Sequence, residues 1–417
     1  LVNGKVWPYL DVKKGKYRFR LLNGSNSRAY TLKLSDGTSF TQISVELGLL
    51  DTAVVLDSIT LLPGERADIV VDFASYPTGT EIILENTAPA PFPGFPGVGV
   101  ISNVLKFVVQ NEAGFTGQLP SALAEVEELQ SADADEERLF ELFTVAGVPC
   151  EGPGHPVWTI NGLLWDTITE FPVLGSTEIW TWHNQSGISH PMHMHLVTFQ
   201  ILDRQAINEV TGVPEGPLLP PKLFEKGWKD TAHSPPGYRT RVITRFEGFT
   251  GTYSYHCHIL EHEDHEMMRQ FEVKPCTSVS KTEDYEVGSL RYAVDCAEPG
   301  DTIRFSESLA GDTIILQDSL VITKDLSFQN QGTGKVFIGG PVEYLFTIAS
   351  GVRVTFKNLA LISGNGDEGR AFKNYGELVL DKIDVYDMGN PAHENSLLLN
   401  KGLLKIVGEV EVFSPDL

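Results

Sequence analysis

Seven of the eleven histidines of this 417-residue chain lie in two short segments. The first segment is His190-Pro191-Met192-His193-Met194-His195, and the second runs from His256-Cys257-His258 through His262 to His265, followed by Met267 and Met268. Imidazole, thiolate and thioether groups are the side chains with which proteins bind soft or borderline metals such as copper. The two segments therefore predict a metal centre.

The spacing divides these side chains between two faces. If Tyr253 to His258 forms a strand, its two histidines point to one face and Cys257 points to the other. One three-residue segment can therefore serve two metal sites. In the first segment, His193 and His195 share a face in the same way, whereas His190 lies outside the alternation.

One thiolate, two imidazoles and a weakly bound axial thioether form a blue-copper electron-transfer site. That set is present here as His190, Cys257, His262 and Met267. Zinc is a weaker competitor, because a cysteine between two histidines that point the other way cannot share their metal. The remaining histidines would form a second, all-imidazole copper site from His193, His195, His256 and His258.

Both segments resemble the C-terminal cupredoxin domain of the multicopper oxidases. The nearest likeness is to spore-coat laccases and bilirubin oxidases, whose copper motif continues as His262-Glu263-Asp264 and Met267-Met268 do here. The likeness runs from Leu1 to about Val273 and leaves out the remaining chain. Further matching segments are Pro63-Gly64-Glu65-Arg66-Ala67-Asp68, Gly175-Ser176-Thr177-Glu178-Ile179-Trp180 and Gly227-Trp228-Lys229-Asp230-Thr231.

The resemblance implies a role for each residue by position. A type 1 copper, which takes electrons singly from a reducing substrate, would be held by His190, Cys257, His262 and axial Met267. The type 2 copper would bind His193, and the type 3 pair would bind His195, His256 and His258. Cys257 is joined to both neighbouring histidines through the backbone, which gives electrons a short route to the site that reduces dioxygen to water. Glu263 matches a carboxylate implicated in proton delivery, so the expected catalytic residues are Cys257, His262 and Glu263.

The family's trinuclear cluster needs eight histidines, and the two motifs here offer four. The other four come from two His-x-His motifs of an N-terminal cupredoxin domain. We therefore expect the chain to correspond to the middle and C-terminal domains of a three-domain oxidase, and to build the blue site but not the full cluster. The isolated histidines cannot form such a pair and are interpreted as surface or core residues: His155, His183, His233, His265 and His393.

The elements that must position these residues are predicted to be strands. Alternating segments such as Tyr30 to Leu34, separated by turn residues, indicate an all-β fold: two cupredoxin domains (Greek-key β-sandwich or barrel) and then a partial right-handed parallel β-helix. The predicted parts are 1–112, the middle cupredoxin domain; 113–138, an exposed acidic linker with one short helix; 139–275, the copper-binding cupredoxin domain; and 277–417, an incomplete β-helix. Within the third part, Glu215 to Lys222 is predicted to be a Pro-rich loop.

The β-helix prediction depends on a repeat. Apolar segments that begin at Val354, Leu378 and Leu404 recur at spacings of 24 and 26 residues, which indicates stacked coils that bury their apolar faces on one another. The run from Gly288 to Ile303 resembles the opening of β-helix modules in secreted bacterial surface proteins. Cys276 and Cys296 either pair with each other or remain two free thiols.

Composition narrows the partners and the location. The 32 Lys and Arg against 55 Asp and Glu give a net charge of −23, which argues against binding nucleic acid, and no apolar run approaches the roughly 18 residues of a membrane span. The chain begins at Leu1 without a signal peptide, so processing removed one or the chain is a slice of a longer protein. Few cysteines, dioxygen chemistry and the β-helix favour a secreted, periplasmic or cell-surface location.

The favoured function is that of a laccase-like multicopper oxidase that lacks its N-terminal domain. It would couple one-electron oxidation of phenols, related aromatics or tetrapyrroles to reduction of dioxygen, and its partners would be dioxygen, a small aromatic reductant and the missing domain. The reductant, for which Cu(I) or Mn(II) stays open, is expected to dock near His262 beside loops that include residues 203–227. Two alternatives remain: a type 1 copper electron-transfer module, and an adhesion or carbohydrate-binding protein dominated by the β-helix. A β-helix polysaccharide lyase belongs with the second, but Asp367, Glu368 and Arg370 alone are weak support for lysis.

Overall fold

A computed structural model of the chain describes residues 1–145, 157–208, 211–362, 370–386 and 398–413. The chain divides into two compact units, one of Leu1–Pro172 with Ser176–Val273 and the other of Val173–Gly175 with Lys274–Leu417. Helix is confined, in the described ranges, to α1 (Leu260–Glu263), α2 (Leu290–Cys296) and 3₁₀ turns at Ser131–Asp133, Leu223–Glu225 and Glu307–Leu309. None of these helices is both long and apolar enough to cross a membrane.

The first part of the larger unit is a sandwich of two sheets. Their orders are β1-β9-β8-β3-β6 and β2-β7-β4-β5, and both bury alternate side chains such as Leu34, Phe40 and Phe107 in one core, as period-2 strands require. The strands are β1 (Tyr9–Lys14), β2 (Lys16–Leu22), β3 (Tyr30–Leu34), β4 (Phe40–Val45), β5 (Gly48–Leu56), β6 (Ile59–Leu61), β7 (Arg66–Asp72), β8 (Glu81–Asn86) and β9 (Asn103–Ala113).

The segment between the two sandwiches has little regular structure but is tied down. Residues 114–130 contain no helix or strand. Leu129 is nevertheless buried against Ile179 and Ile243. The side chain of Gln200 accepts a hydrogen bond from Leu129 N (2.9 Å) and donates one to Glu127 O. The acidic linker is therefore docked at its C-terminal end.

The second part of the larger unit is another pair of sheets, ordered β11-β10-β12-β17-β14-β15 and β16-β13-β18-β19. Its core contains the fully buried rings of Phe140, Trp180 and Phe271. The strands are β10 (Glu136–Val145), β11 (Val157–Ile160), β12 (Thr177–Asn184), β13 (His190–Met194), β14 (Phe199–Ile207), β15 (Pro214–Leu219), β16 (Thr231–Ser234), β17 (Tyr238–Arg245), β18 (Gly251–Cys257) and β19 (Met268–Val273).

One sequence prediction fails in this second sandwich. Residues 215–219 of the predicted Pro-rich loop form most of strand β15, so the prediction was wrong there, whereas Pro220 to Lys222 contain no helix or strand. β15 pairs with β14 at the end of its sheet, and all six of its residues are exposed. Proline is tolerated in such an edge strand because one side of the strand needs no ladder hydrogen bonds.

The smaller unit is a parallel β-solenoid, so the predicted all-β fold with two cupredoxin-like sandwiches and a β-helix is confirmed. Val354 pairs with Leu378 and Leu378 with Leu404, as the repeat predicts. Cys276 and Cys296 form a disulfide. The strands are β20 (Ser278–Val279), β21 (Thr302–Phe305), β22 (Thr313–Ile315), β23 (Leu320–Ile322), β24 (Leu326–Gln329), β25 (Phe337–Gly339), β26 (Tyr344–Ile348), β27 (Arg353–Ile362), β28 (Arg370–Asn374), β29 (Glu377–Tyr386), β30 (Leu398–Asn400), β31 (Leu403–Ile406) and β32 (Val410–Phe413).

Candidate metal centre

Three buried side chains from separate elements converge on one point. His190 begins β13, Cys257 ends β18 and His262 lies in α1. Cys257 Sγ is 3.5 Å from His190 Nδ1 and 3.6 Å from His262 Nδ1, and the two nitrogens are 3.2 Å apart. Metal bonds of about 2.3 Å to sulfur and 2.0 Å to nitrogen, at tetrahedral angles, give separations of about 3.5 and 3.3 Å. The donor set therefore fits a metal ion without rearrangement.

Neighbouring side chains hold these three converging residues, the first group, in place. Ser186 Oγ is 2.8 Å from His190 Nε2, which leaves Nδ1 of that ring facing the sulfur. The Trp158 ring stacks on His262 at 4.2 Å between centroids and meets His190 edge-on at 5.1 Å. Met267 is fully buried, and its backbone bonds to Cys257 N and His262 O, each at 3.0 Å. The predicted axial residue is thus tied to two of the three converging residues.

Burial keeps the first group neutral when no cation is present. It lowers the pKa of His190 well below its usual range and the pKa of His262 to about 4. Burial also raises the pKa of the Cys257 thiol well above its usual range. Both imidazoles therefore keep a lone pair for a metal at neutral pH, and a bound cation would draw the thiol to its thiolate form.

Four further histidine rings form a second group on the other face of the same strands. His193 pairs with His256 across β13 and β18, and His195 Nε2 is 3.3 Å from His256 Nε2. His258 lies beside this pair, with ring centroids 5.5 Å from His256 and 5.6 Å from His193. Burial lowers the pKa of His195, His256 and His258, that of His256 to about 3. These imidazoles are therefore available as neutral ligands.

The second group is open on one side. His195 is exposed, and a cavity of 630 Å³ is lined by His193, His258, Arg66 and Glu263. Glu263 Oε2 is 3.3 Å from His256 Nδ1. Burial raises the pKa of Glu263, so this carboxyl group retains its proton more readily than an exposed one.

Residues 152–276 match the family model described as Multicopper oxidase. The chain belongs to the multicopper oxidase family. Copper is therefore the metal whose ligand preferences apply to the two side-chain groups. The Cys-His-His set of the first group has the donor chemistry of a copper electron-transfer site.

Named relatives of this multicopper oxidase chain agree. Laccase from Bacillus subtilis (strain 168) is 41% identical over 283 residues, covering 66% of this chain and 54% of the laccase. Multicopper oxidase LPR1 from Arabidopsis thaliana is 32% identical over 308 residues, covering 66% and 52%. The McoA multicopper oxidase of Aquifex aeolicus has a similar structure, with a TM-score of 0.54, 31% identity and coverage of 64% and 57%. The chain spans about half the length of the curated relatives it matches.

A smaller cavity of 330 Å³ reaches His262 from outside. Its walls are largely apolar, with Leu62, Phe92 and Ile259 among them, and Arg28 and Glu261 add one charge of each sign. None of the described residues between 203 and 227 lines this cavity, so the expectation that they border the approach to His262 was wrong. The walls come instead from the first sandwich and from segments next to His190 and His262.

The remaining histidines are not members of either converging group, although His265 N donates to His262 O at 3.1 Å. His183 and His233 are buried, and His265 is exposed beyond α1. His155 and His393 lie outside the described residues. The interpretation of the three described ones as core or surface residues therefore agrees with where they lie.

Sequence reasoning missed the residues that support the histidines from a distance. Trp158 and Ser186 carried no signal in the sequence. The backbone oxygen of Asp230 lies 2.7 Å from His193 Nδ1, and Arg66 binds the Asp230 carboxylate at 2.7 Å. Both residues lie in sequence segments noted only for their family resemblance. That resemblance was the available signal for their role.

Proposed function

We propose that this chain is the copper-binding part of a laccase-like oxidase that oxidises phenolic, related aromatic or tetrapyrrole substrates one electron at a time and reduces dioxygen to water. The observation that carries the proposal is the first group, in which one thiol and two imidazoles converge at separations that suit a bound metal. We assign the type 1 copper to His190, Cys257, His262 and Met267. When bound, copper here accepts single electrons, and copper in the second group reduces dioxygen.

The chain's own residues prepare the first group for this task. Complete burial of His190 and Cys257 excludes water from these two ligands, whereas His262 borders the 330 Å³ cavity. Trp158 and Ser186 restrain the two imidazole rings. A site whose ligands are already in place changes little when an electron arrives, which favours rapid transfer. Cys257 is bonded through the backbone to His256 and His258, so one strand end links the two groups.

We assign the second group to half of a trinuclear cluster. In this proposal His193 binds the type 2 copper, whereas His195, His256 and His258 bind the type 3 pair. Four more histidines would come from an N-terminal cupredoxin domain, and the open 630 Å³ cavity leaves room for them beside His193 and His258. The coverage of 54% of the Bacillus laccase supports a separate domain of this kind. Glu263 would hold a proton at Oε2 beside His256 for delivery to reduced oxygen.

The cavity beside His262 supports a small aromatic reductant. Its volume of 330 Å³ is near the lower end of the range for small-molecule sites, which favours phenol-sized substrates over tetrapyrroles. Apolar walls suit a planar ring, and a substrate in this cavity lies against the His262 imidazole. Electrons would therefore enter the first group through that ring.

Export is part of the proposal. The Cys276–Cys296 disulfide supports an oxidising compartment, because structural disulfides are rare in reducing cytosols. The periplasm, the cell surface and the medium all satisfy this condition.

The test is to load the chain with copper and measure visible absorption and dioxygen consumption. We expect intense blue absorption without steady consumption of dioxygen when a phenol is added. A separately expressed N-terminal cupredoxin domain with two His-x-His motifs, for example that of the Bacillus subtilis laccase, should then restore turnover. Absence of blue absorption would contradict the first assignment, and sustained turnover by the chain alone would contradict the second.

One observation favours a simpler alternative. The first group is complete and buried in this chain, whereas the second group is open, and this combination also suits a type 1 copper electron-transfer module. Such a module would exchange electrons with a reductant but stay inactive towards dioxygen even after the cupredoxin domain is added. The same mixing experiment therefore separates the two functions.

A further inference from the structure

A turn of the first sandwich reaches the second histidine group without contributing a ligand. The turn is Pro63-Gly64-Glu65-Arg66, which joins β6 to β7. Gly64 and Arg66 line the same cavity as His193 and His258. The side chain of Arg66 reaches His193 through Asp230, and the backbone of Gly64 contacts the ring of His258.

The first contact runs from Arg66 to His193 through Asp230. Arg66 Nη1 and Nη2 each donate to one carboxylate oxygen of Asp230 at 2.7 Å, the two-pronged geometry that only arginine provides. The backbone oxygen of Asp230 lies 2.7 Å from His193 Nδ1. A carbonyl oxygen only accepts hydrogen bonds, so Nδ1 carries the hydrogen and Nε2 keeps the lone pair for a metal.

Asp230 is held in the position from which its backbone oxygen meets His193. Thr231 Oγ1 donates to Asp230 Oδ1 at 2.9 Å. With the two bonds from Arg66, three donor atoms hold this carboxylate. Its orientation is therefore fixed by Arg66 and Thr231.

The second contact is between Gly64 and the ring of His258. Gly64 has a φ of +82°, and a Cβ built at this position would lie 2.4 Å from His258 Cδ2. The His258 ring therefore packs directly on the glycine backbone, and any side chain here would push the ring away. Arg66 Nη1 also donates to Gly64 O at 3.0 Å, which couples this contact to the first.

A buried ion pair anchors the turn to Lys229 and Asp230, the two residues that precede β16. Lys229 Nζ binds both oxygens of Glu46 at 2.8 Å, and Glu46 Oε1 accepts from Arg66 N at 3.1 Å. The Lys229 and Glu46 side chains are almost completely buried. The first sandwich and the strand next to His193 are therefore fixed to each other at this point.

We propose that Arg66 and Gly64 are positioning residues for the second histidine group. Arg66 acts through Asp230 to fix the ring and the tautomer of His193, and Gly64 provides the surface on which the ring of His258 rests. The inference uses the proposed function only in naming copper as the metal. The tautomer of His193 can be measured in the copper-free chain.

The first experiment compares ring nitrogen resonances of ¹⁵N-histidine-labelled, copper-free chains. His193 is assigned by the signal lost in His193→Asn. We expect a single Nδ1–H tautomer in the wild type and a mixture in Arg66→Met. Arg18→Met is the matched control, because Arg18 binds Asp68 on the same sheet and bonds to no histidine among the described residues. An unchanged tautomer in Arg66→Met, or an equal change in Arg18→Met, would overturn the proposal.

The second experiment titrates Cu(II) and follows each centre separately, by blue absorption for the first group and by electron paramagnetic resonance for the second. Arg66→Met and Gly64→Ala should weaken the second centre by about 10- to 100-fold, the usual effect of losing an outer-shell partner, and leave the blue absorption unchanged. Arg66→Lys should recover part of the loss, because it keeps the charge but not the fork.

Equal weakening of both centres, or of neither, would overturn the positioning role. If Arg66→Met does not fold, the same comparisons are made with Arg66→Lys and Gly64→Ala. If the wild-type chain forms neither copper centre, the proposed function fails, and the tautomer of His193 still decides this inference.

Discussion

Cys257 is the residue on which the two candidate centres meet. It is the last residue of β18, and its sulfur faces His190 and His262, whereas its two neighbours in the chain belong to the second group. Burial raises the pKa of its thiol well above the usual range, so the copper-free residue is a protonated and unreactive thiol. The chemistry of this position therefore depends on the metal that it binds.

Replacing the sulfur should remove one centre and leave the other. We expect Cys257→Ser to abolish the blue absorption of the copper-loaded chain, because a hydroxyl group is not the soft ligand on which that absorption depends. Copper bound per chain should fall by one, with the second group still occupied, as measured by elemental analysis and electron paramagnetic resonance. Cys150→Ser is the control. Retained blue absorption in Cys257→Ser would place the type 1 site elsewhere.

Trp158 provides a second prediction at this scale. Its ring covers His262 at 4.2 Å, so Trp158→Leu should expose that imidazole and weaken copper binding at the first group by about tenfold. Copper should also quench the fluorescence of Trp158 in the wild type, and this component of the quenching should be absent from the variant. Trp7→Leu is the matched control, since Trp7 is 70% exposed. Equal copper affinity in Trp158→Leu and Trp7→Leu would contradict a supporting role.

The residues that sequence reasoning found and those that it missed differ in kind. Alternation along one strand separates Cys257 from its two neighbouring histidines, and the structure has the same division. Trp158 and Arg66 act across the chain, through a ring stacked on His262 and a fork closed on Asp230. The spacing of residues along the sequence carries no information about such contacts, because they depend on which distant strands pair and in which register.

The pairing of strands β13 and β18 brings both histidine groups together. β13 and β18 lie side by side, so Met192 is opposite Cys257 and His193 is opposite His256. The strand character of both was predictable from alternation, and their adjacency was not. The mistaken loop at β15 has a related cause: its prolines are incompatible with a central strand, and only the sheet order shows that β15 lies at an edge.

The turn between β6 and β7 should make stability depend on pH. Burial raises the pKa of Glu65 from 4.5 to about 7, against the attraction of Lys229. The folded chain thus binds this proton more tightly than the unfolded chain, so the stability it contributes is present below pH 4.5 and is lost as pH rises through 7. At 1.36 kcal/mol per pKa unit, the loss is on the order of 3 kcal/mol.

We therefore expect Glu65→Gln to flatten the decline in the free energy of unfolding between pH 4.5 and 8. Denaturant unfolding of the larger unit at several pH values measures it. Glu81→Gln removes an exposed carboxylate of the same sandwich and should leave the decline intact. The same slope in wild type and Glu65→Gln would show that Glu65 stays ionised throughout.

At the scale of the whole molecule, the chain joins a copper-binding unit to a solenoid of another construction. The spacings of 24 and 26 residues predicted the pairing of β27, β29 and β31, because each coil must return to the same register. Shorter strands stack as well: β22 pairs with β25 in the same sheet as β27, and β23 pairs with β26 in a separate sheet. Their position depends on turns whose lengths vary from coil to coil, so the repeat alone did not place them all.

The stack of aromatic rings inside the solenoid allows the two units to be tested separately. Phe356 is fully buried, and its ring lies 4.5 Å from Phe328, 4.7 Å from Phe346 and 5.1 Å from Phe372. Phe356→Ala should destabilise the solenoid by about 3–5 kcal/mol, whereas Phe356→Leu, which keeps most of the volume, should cost much less.

All candidate copper ligands lie between His190 and Met267, in the other unit. Calorimetry should therefore show the solenoid transition at a lower temperature in Phe356→Ala, while the blue absorption of the copper-loaded chain disappears at the wild-type temperature. A parallel fall of both temperatures would mean that the solenoid stabilises the copper-binding unit. An unchanged solenoid transition would mean that the aromatic stack is not the source of its stability.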